Sequence, residues 1–112
     1  MITVKDVKQR ADLKQLTDLN ESGQVKGAYI CDLLSWVMAK GQEGMVWITV
    51  QTHLNVLAVA VLHEFSCIII PENIEVPDET VAKAQEEGIP VYSTSKDGYE
   101  LCCLLNELGV GK

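Results

Sequence analysis

A chain of 112 residues that is 47% hydrophobic can bury roughly two-thirds of its unfolded surface in one core, without metal or disulfide staples, and is expected to form a single domain over residues 1–112. Its 9 basic and 16 acidic residues leave a net charge of −7, which argues against a nucleic-acid backbone or an anionic membrane as partner. No apolar run approaches the roughly 18 residues of a membrane helix, and the start Met1-Ile2-Thr3-Val4-Lys5-Asp6 has no apolar signal region, so the expected location is the cytoplasm.

Thr3 and Asp6 make a capping-box pattern around Val4, Val7 and Ala11 at helical spacing, which predicts a short helix over residues 4–11. Residues 13–17 suit a brief edge strand, and Asn20-Glu21-Ser22-Gly23 a loop. A strand over 25–31 leads to Asp32, placed to cap a helix over 33–39. Gly41 and Gly44 punctuate the turn into a strand over 45–50, which feeds a helix over 54–65. Cys67-Ile68-Ile69-Ile70 is a nearly pure isoleucine run of parallel-sheet character. After a loop over 71–77, Asp78 caps a helix that ends at Gly88. Residues 89–93 make the last strand, and Asp97 or Ser95 caps a final helix to Leu108, stopped by Gly109. Four strand-then-helix units with short connections predict an α/β fold, a mostly parallel sheet with helices on both faces. The pattern leaves strand order open.

Right-handed crossovers bring the carboxyl ends of parallel strands to one edge. There the chain collects Cys31-Asp32, Gln51-Thr52-His53, Pro71-Glu72-Asn73 and Ser93-Thr94-Ser95. Helix-start amides would point to the same edge and favour a polar or anionic ligand. Capping alone accounts for Asp32, Thr52 and Ser95 taken singly. Taken together, Asp32, Gln51, Thr52, His53, Asn55, Ser93 and Thr94 form the candidate ligand-binding set. His53 at its strand-to-helix corner suits a proton-linked donor that Asp32 could orient. No nucleophile accompanies the pair, since Ser93 and Ser95 lack a nucleophile-elbow glycine pattern.

Other motifs read more simply. Cys31, Cys67, Cys102 and Cys103 form no C-x-x-C pair, so they are expected as reduced small hydrophobes, with no metal and no cofactor. His63 beside Glu64 reads as a surface residue at a helix end. Gly109-Val110-Gly111-Lys112 looks like the tail of a phosphate loop but lacks its first glycine, the following Ser or Thr and a preceding strand. Leu33, Leu34, Trp36, Val37 and Met38 point almost all round their helix, and residues 54–62 are similarly apolar. A helix of that kind is buried on more than one side, either under loops or against a partner subunit. Trp36 and Met38 are the candidate interface residues of a homodimer.

Three segments carry a family resemblance: Gly27-Ala28-Tyr29-Ile30-Cys31-Asp32-Leu33-Leu34-Ser35-Trp36-Val37-Met38, Val46-Trp47-Ile48-Thr49-Val50-Gln51-Thr52-His53-Leu54-Asn55, and Gly88-Ile89-Pro90-Val91. They resemble the DRTGG domain, and the chain is similar to short stand-alone DRTGG-type proteins of anaerobic bacteria, often associated with iron-only hydrogenase gene clusters. The resemblance implies an α/β domain related to the non-catalytic N-terminal domain of HPr kinase. It further implies a regulatory or assembly module of the kind found in phosphotransacetylases and in pyrophosphatases with CBS domains. Two departures stand out. Gln51-Thr52-His53 occupies the place of the aspartate-arginine pair, and Pro71-Glu72-Asn73 that of Thr-Gly-Gly. The arginine that would grip an anion bidentately is therefore missing.

The expected function is a non-catalytic regulatory or assembly domain. It would bind a small polar or anionic ligand, a nucleotide included, or a partner protein of a hydrogenase or kinase system. The alternative is a small hydrolase or transferase with His53 as general base, Asp32 as orienter and Asn55 or Thr94 as polarising donors. A third reading is a redox accessory protein using Cys31, Cys102 and Cys103.

Overall fold

The computed structural model describes residues 1–111. Its elements run α1 (Val4–Ala11), β1 (Lys14–Gln15), β2 (Gly27–Ile30), α2 (Leu34–Lys40), β3 (Met45–Ile48), α3 (Asn55–His63), β4 (Cys67–Ile70), α4 (Asp78–Glu87), β5 (Val91–Ser93) and α5 (Gly98–Leu108). Local side chains set the ends of the first and last helices. The Thr3 hydroxyl accepts from the Asp6 amide at 3.3 Å while the Asp6 carboxylate accepts from the Thr3 amide at 2.9 Å. Asp97, rather than Ser95, repeats this box with Glu100 at the start of α5. Such boxes satisfy two orphan amides at once.

Two expected caps are corrected. Helix α2 starts from Leu33 with no side-chain cap, because the Asp32 carboxylate is engaged elsewhere. Asp78 is the first residue of α4, behind Pro77, and complements the helix dipole instead of capping. Several elements are shorter than expected for visible reasons. Val25 leaves β2 because its amide donates to the Ile2 carbonyl at 2.8 Å. Helix α3 stops at His63 because Glu64 turns left-handed, with φ of 56°.

The sheet order is β1-β5-β4-β3-β2. Strands β2 to β5 are parallel and successive, and β1 lies antiparallel on β5, with Lys14 opposite Ser93. Side chains alternate across each strand, so the apolar runs divide into two cores. Trp47, Ile68, Ile70 and Val91 pack with Val37 of α2, Val56, Leu57 and Ala60 of α3, and Ala84 of α4. Val46, Ile48, Ile69 and Tyr92 pack with Val4 and Val7 of α1 and Leu101 and Leu105 of α5. Three successive crossovers in one direction lead α2, α3 and α4 into the same core, as right-handed connections require. Only α5 leaves the sheet towards the other.

A polar network seals the second core. The buried Tyr92 phenol donates to the Glu21 carboxylate, which Lys8 approaches at 3.4 Å. Lys8 also donates to Gln15 at 2.9 Å, tying α1, β1 and the following loop together. Among the described residues, no helix is long and apolar enough to cross a membrane.

Candidate functional site

Because β2 to β5 are parallel, their carboxyl ends share one edge of the sheet. Strands stand about 4.8 Å apart, so the β5 tip is roughly 10 Å from the β3 tip and farther from β2. The expected rim therefore divides into two corners with different chemistry.

At the β2–β3 corner Asp32 acts as a clasp. One carboxylate oxygen accepts from the Thr49 hydroxyl and from the Val50 amide, both at 2.9 Å. Thr49 is buried, and its hydroxyl also accepts from the Gln51 amide at 3.2 Å. The Gln51 side-chain amide donates to the Asp32 carbonyl at 3.2 Å. One residue upstream, the indole of Trp47 donates to the Cys31 carbonyl at 2.9 Å. Thr49 escaped the sequence reading because, between Ile48 and Val50, it looks like an ordinary strand residue. Asp32→Ala should cost about 1–3 kcal/mol, the cost of leaving the buried Thr49 hydroxyl without an acceptor. Asp32→Asn keeps an acceptor oxygen and should lose less than half of that in urea unfolding. Equal losses from both would show that charge, not hydrogen bonding, matters at this clasp.

His53 is exposed, and its Nδ1 accepts from the Asn55 amide at 3.2 Å. Among the described residues, no hydrogen bond joins His53 to Asp32, whose Oδ1 accepts from Thr49 and Val50. The proposed dyad is not assembled. Thr52 serves through its backbone, its carbonyl accepting from the Thr80 hydroxyl at 2.8 Å. Helix α3 starts at Asn55 behind Leu54 with no side-chain cap.

The β4–β5 corner is where the chain parts, since α4 and α5 depart into opposite cores. Glu72 and Asn73 both adopt left-handed backbone, φ 61° and 55°, a conformation that glycine takes most readily. Their amides donate to the Lys96 and Thr94 carbonyls at 2.8 and 2.9 Å. The Thr94 amide donates to the Ile70 carbonyl at 3.1 Å, and its hydroxyl accepts from the Lys96 amide. Thr94 is thus buried as a loop clamp, not presented to a ligand. Beside this clamp lies a cavity of about 460 Å³ lined by Lys14, Leu16, Asn73, Ile74, Glu75, Val76, Asp78, Val81 and Ser93. Of the expected ligand set, Ser93 alone reaches it. Lys14 arrives because antiparallel β1 sets it opposite Ser93, a pairing across the chain that no local signal announced.

The remaining candidates fall elsewhere. Trp36 and Met38 are 51% and 40% exposed, but two positions on a helix project from opposite flanks. The Lys40 ammonium lies 5.3 Å from the Trp36 ring centroid. His63 is more than a surface residue: its Nε2 donates to the Met38 carbonyl at 2.7 Å, and its ring stacks on Phe65. All four cysteines are free thiols. Burial pushes the Cys67 thiol up to about 12. Among the described residues, no three His, Cys, Asp or Glu side chains converge to hold a metal ion. Gly109 ends α5 in left-handed backbone, and Lys112, the last residue of the phosphate-loop-like tail, lies outside the described residues.

No protein-family model matches the chain, and no curated protein matches it. Among solved structures it is similar to the CBS and DRTGG domains of the regulatory region of a Clostridium perfringens pyrophosphatase, solved in complex with the activator diadenosine tetraphosphate. Identity is 12% and the TM-score 0.70, over 92% of this chain and 45% of that one. The chain thus spans less than half of that neighbour's length, and the likeness is one of fold. The likeness takes in nearly all of this chain's five-stranded, mostly parallel α/β sheet and its helices.

Proposed function

We propose that this chain is a non-catalytic regulatory or assembly domain that works as a homodimer and binds a small polar ligand at the carboxyl edge of its sheet. The observation that carries the reading is the cavity at the β4–β5 tips, where Lys14, Asn73 and Ser93 meet Glu75 and Asp78 beside an apolar wall. Its volume falls within the usual range of small-molecule sites. A lining with one cation and two carboxylates suits a ligand that has an anionic group and several hydroxyl donors, which describes a nucleotide. Support also comes from the fold likeness to a regulatory region whose own activator is a nucleotide. A hydrolase or transferase built on His53 has less support, since among the described residues no hydrogen bond joins His53 to Asp32 and the His53 Nδ1 accepts from the Asn55 amide instead. The hydrogenase or kinase setting and the relation to HPr kinase rest on the segment resemblance alone.

A thermal-shift screen with nucleotides and phosphorylated metabolites tests the reading. Ligand at about 100 times its Kd stabilises the native state by about 2.7 kcal/mol, a rise of several degrees in Tm. Lys14→Glu should abolish that shift, and His53→Ala should leave it intact. A screen in which none of these ligands moves Tm would overturn the ligand part of the proposal. Loss of the shift in His53→Ala would return the site to the β2–β3 corner.

A further inference from the structure

Helix α3 has an outer face that water should not see. Between Asn55 and His63 every residue is apolar, whereas a helix lying on a sheet normally turns a polar stripe outward. Val56, Leu57, Val59 and Ala60 fill the core. The opposite side presents Leu54, Ala58, Val61 and Leu62; Leu54, Val61 and Leu62 are 38%, 40% and 64% exposed. Together with Lys83 and Glu87 of α4 they line a groove of about 440 Å³.

We infer that this stripe is a two-fold interface in which α3 of one copy crosses α3 of a second copy antiparallel at Ala58. The inference rests on the homodimer part of the function proposed above and assigns its surface. Three features select a second copy as the occupant. The leucines stand four residues to either side of Ala58, so a two-fold axis there sets each Leu54 against the partner's Leu62 and Ala58 against itself. Such self-complementarity is what an isologous contact requires. A small residue at the crossing point lets the helices approach to the close end of the usual 8–10 Å. The groove's polar wall is one cation and one anion, Lys83 and Glu87, 3.2 Å apart, so the same axis can set Lys83 near the partner's Glu87. Two chains of net charge −7 could thereby meet without placing like charges in contact. The α2 surface is a weaker candidate, because Trp36 and Met38 face different ways.

Light scattering on the full chain at tens of micromolar tests the pairing, with circular dichroism to confirm folding. The wild type should have the mass of a dimer. Leu62→Glu, at the most exposed point of the stripe, should remain folded and weaken self-association by about 100-fold or more, because the carboxylates lose water in the contact. Trp36→Glu should remain dimeric. Ala58→Cys should yield an oxidised dimer whose 58–58 disulfide is found in the peptide masses. A dimer that withstands Leu62→Glu but dissociates in Trp36→Glu overturns this pairing and leaves the homodimer reading standing. A wild type that stays monomeric overturns both.

Discussion

Replacing Trp47 with alanine is expected to remove about 3–5 kcal/mol of stability, the usual loss for deleting a buried aromatic side chain. Trp47 is the largest fully buried side chain, centred on β3 between α2 and α3. Its ring packs edge-on against Phe65 with centroids 5.7 Å apart, a geometry that adds to the area term. The indole also donates to the Cys31 carbonyl. The alanine variant therefore opens a cavity and releases the backbone just ahead of Asp32. Domains of this size have a total stability of about 5–15 kcal/mol, so the variant should unfold at much lower urea, with part of the chain unfolded before denaturant is added. Trp47→Phe refills most of the space but lacks the N–H, and should lose less. A urea midpoint for Trp47→Ala close to that of wild type would contradict the packing described.

Stability is expected to stay level up to about pH 9 and then to fall steeply towards about pH 12. Two buried groups on the α1–α5 side of the sheet cause this. Burial pushes the Cys67 thiol from 9.0 up to about 12, with the Glu21 carboxylate adding to it. Tyr92 is raised above its ordinary 10.0 by burial first, then by its hydrogen bond to Glu21 and the charge on that residue. The folded chain thus holds both protons more tightly than the unfolded chain. Below about pH 9 both states are protonated and the stabilisation is fully present. As pH rises towards about 12, the unfolded state loses its protons first and unfolding is favoured. At roughly 1.4 kcal/mol per pH unit, Cys67 alone accounts for a loss of about 4 kcal/mol over that window. Urea midpoints followed from about pH 8 upward should show the fall, and Cys67→Ala should be markedly flatter. Identical profiles for wild type and Cys67→Ala would remove Cys67 as a cause.

Trp47 and Tyr92 also position the carboxyl edge of the sheet through their strands. Trp47 anchors the backbone from which Asp32 reaches Thr49 and Val50. Tyr92 immediately precedes Ser93 in β5, whose pairing with β1 sets Lys14 on the cavity. Core substitutions here should therefore disturb the two corners of the carboxyl edge as well as the melting temperature.

How far the site could be read depended on the distance over which each interaction acts. Thr3 and Asp6 lie three residues apart, so their capping box was legible, whereas the cap of α5 stayed open between Asp97 and Ser95 until the Asp97–Glu100 box decided it. The runs at β3 and β4 declared buried strands through their β-branched side chains. Asp32 looked like a cap because it precedes a helix, yet its partners lie 17 and 18 residues away. The cavity was illegible for the same reason: β1 has only two residues, and its pairing with β5 spans nearly 80 positions. Asn73 and Asp78 were visible as loop and helix start, but nothing local said that Lys14 would join them.

From the amino-acid order alone came the class of fold, the presence of the helices with the first capping box, the apolar strands and the gathering of polar tips on one edge. Each follows from periodicity and from contacts within one turn of chain. Tertiary structure decided the strand order, the split of that edge into a clasp and a cavity, and the outward turn of Leu54, Ala58 and Leu62. Those depend on which strands become neighbours and which helix faces the sheet leaves uncovered. Such choices are settled by burial summed over the whole chain, and no short window of residues contains that sum.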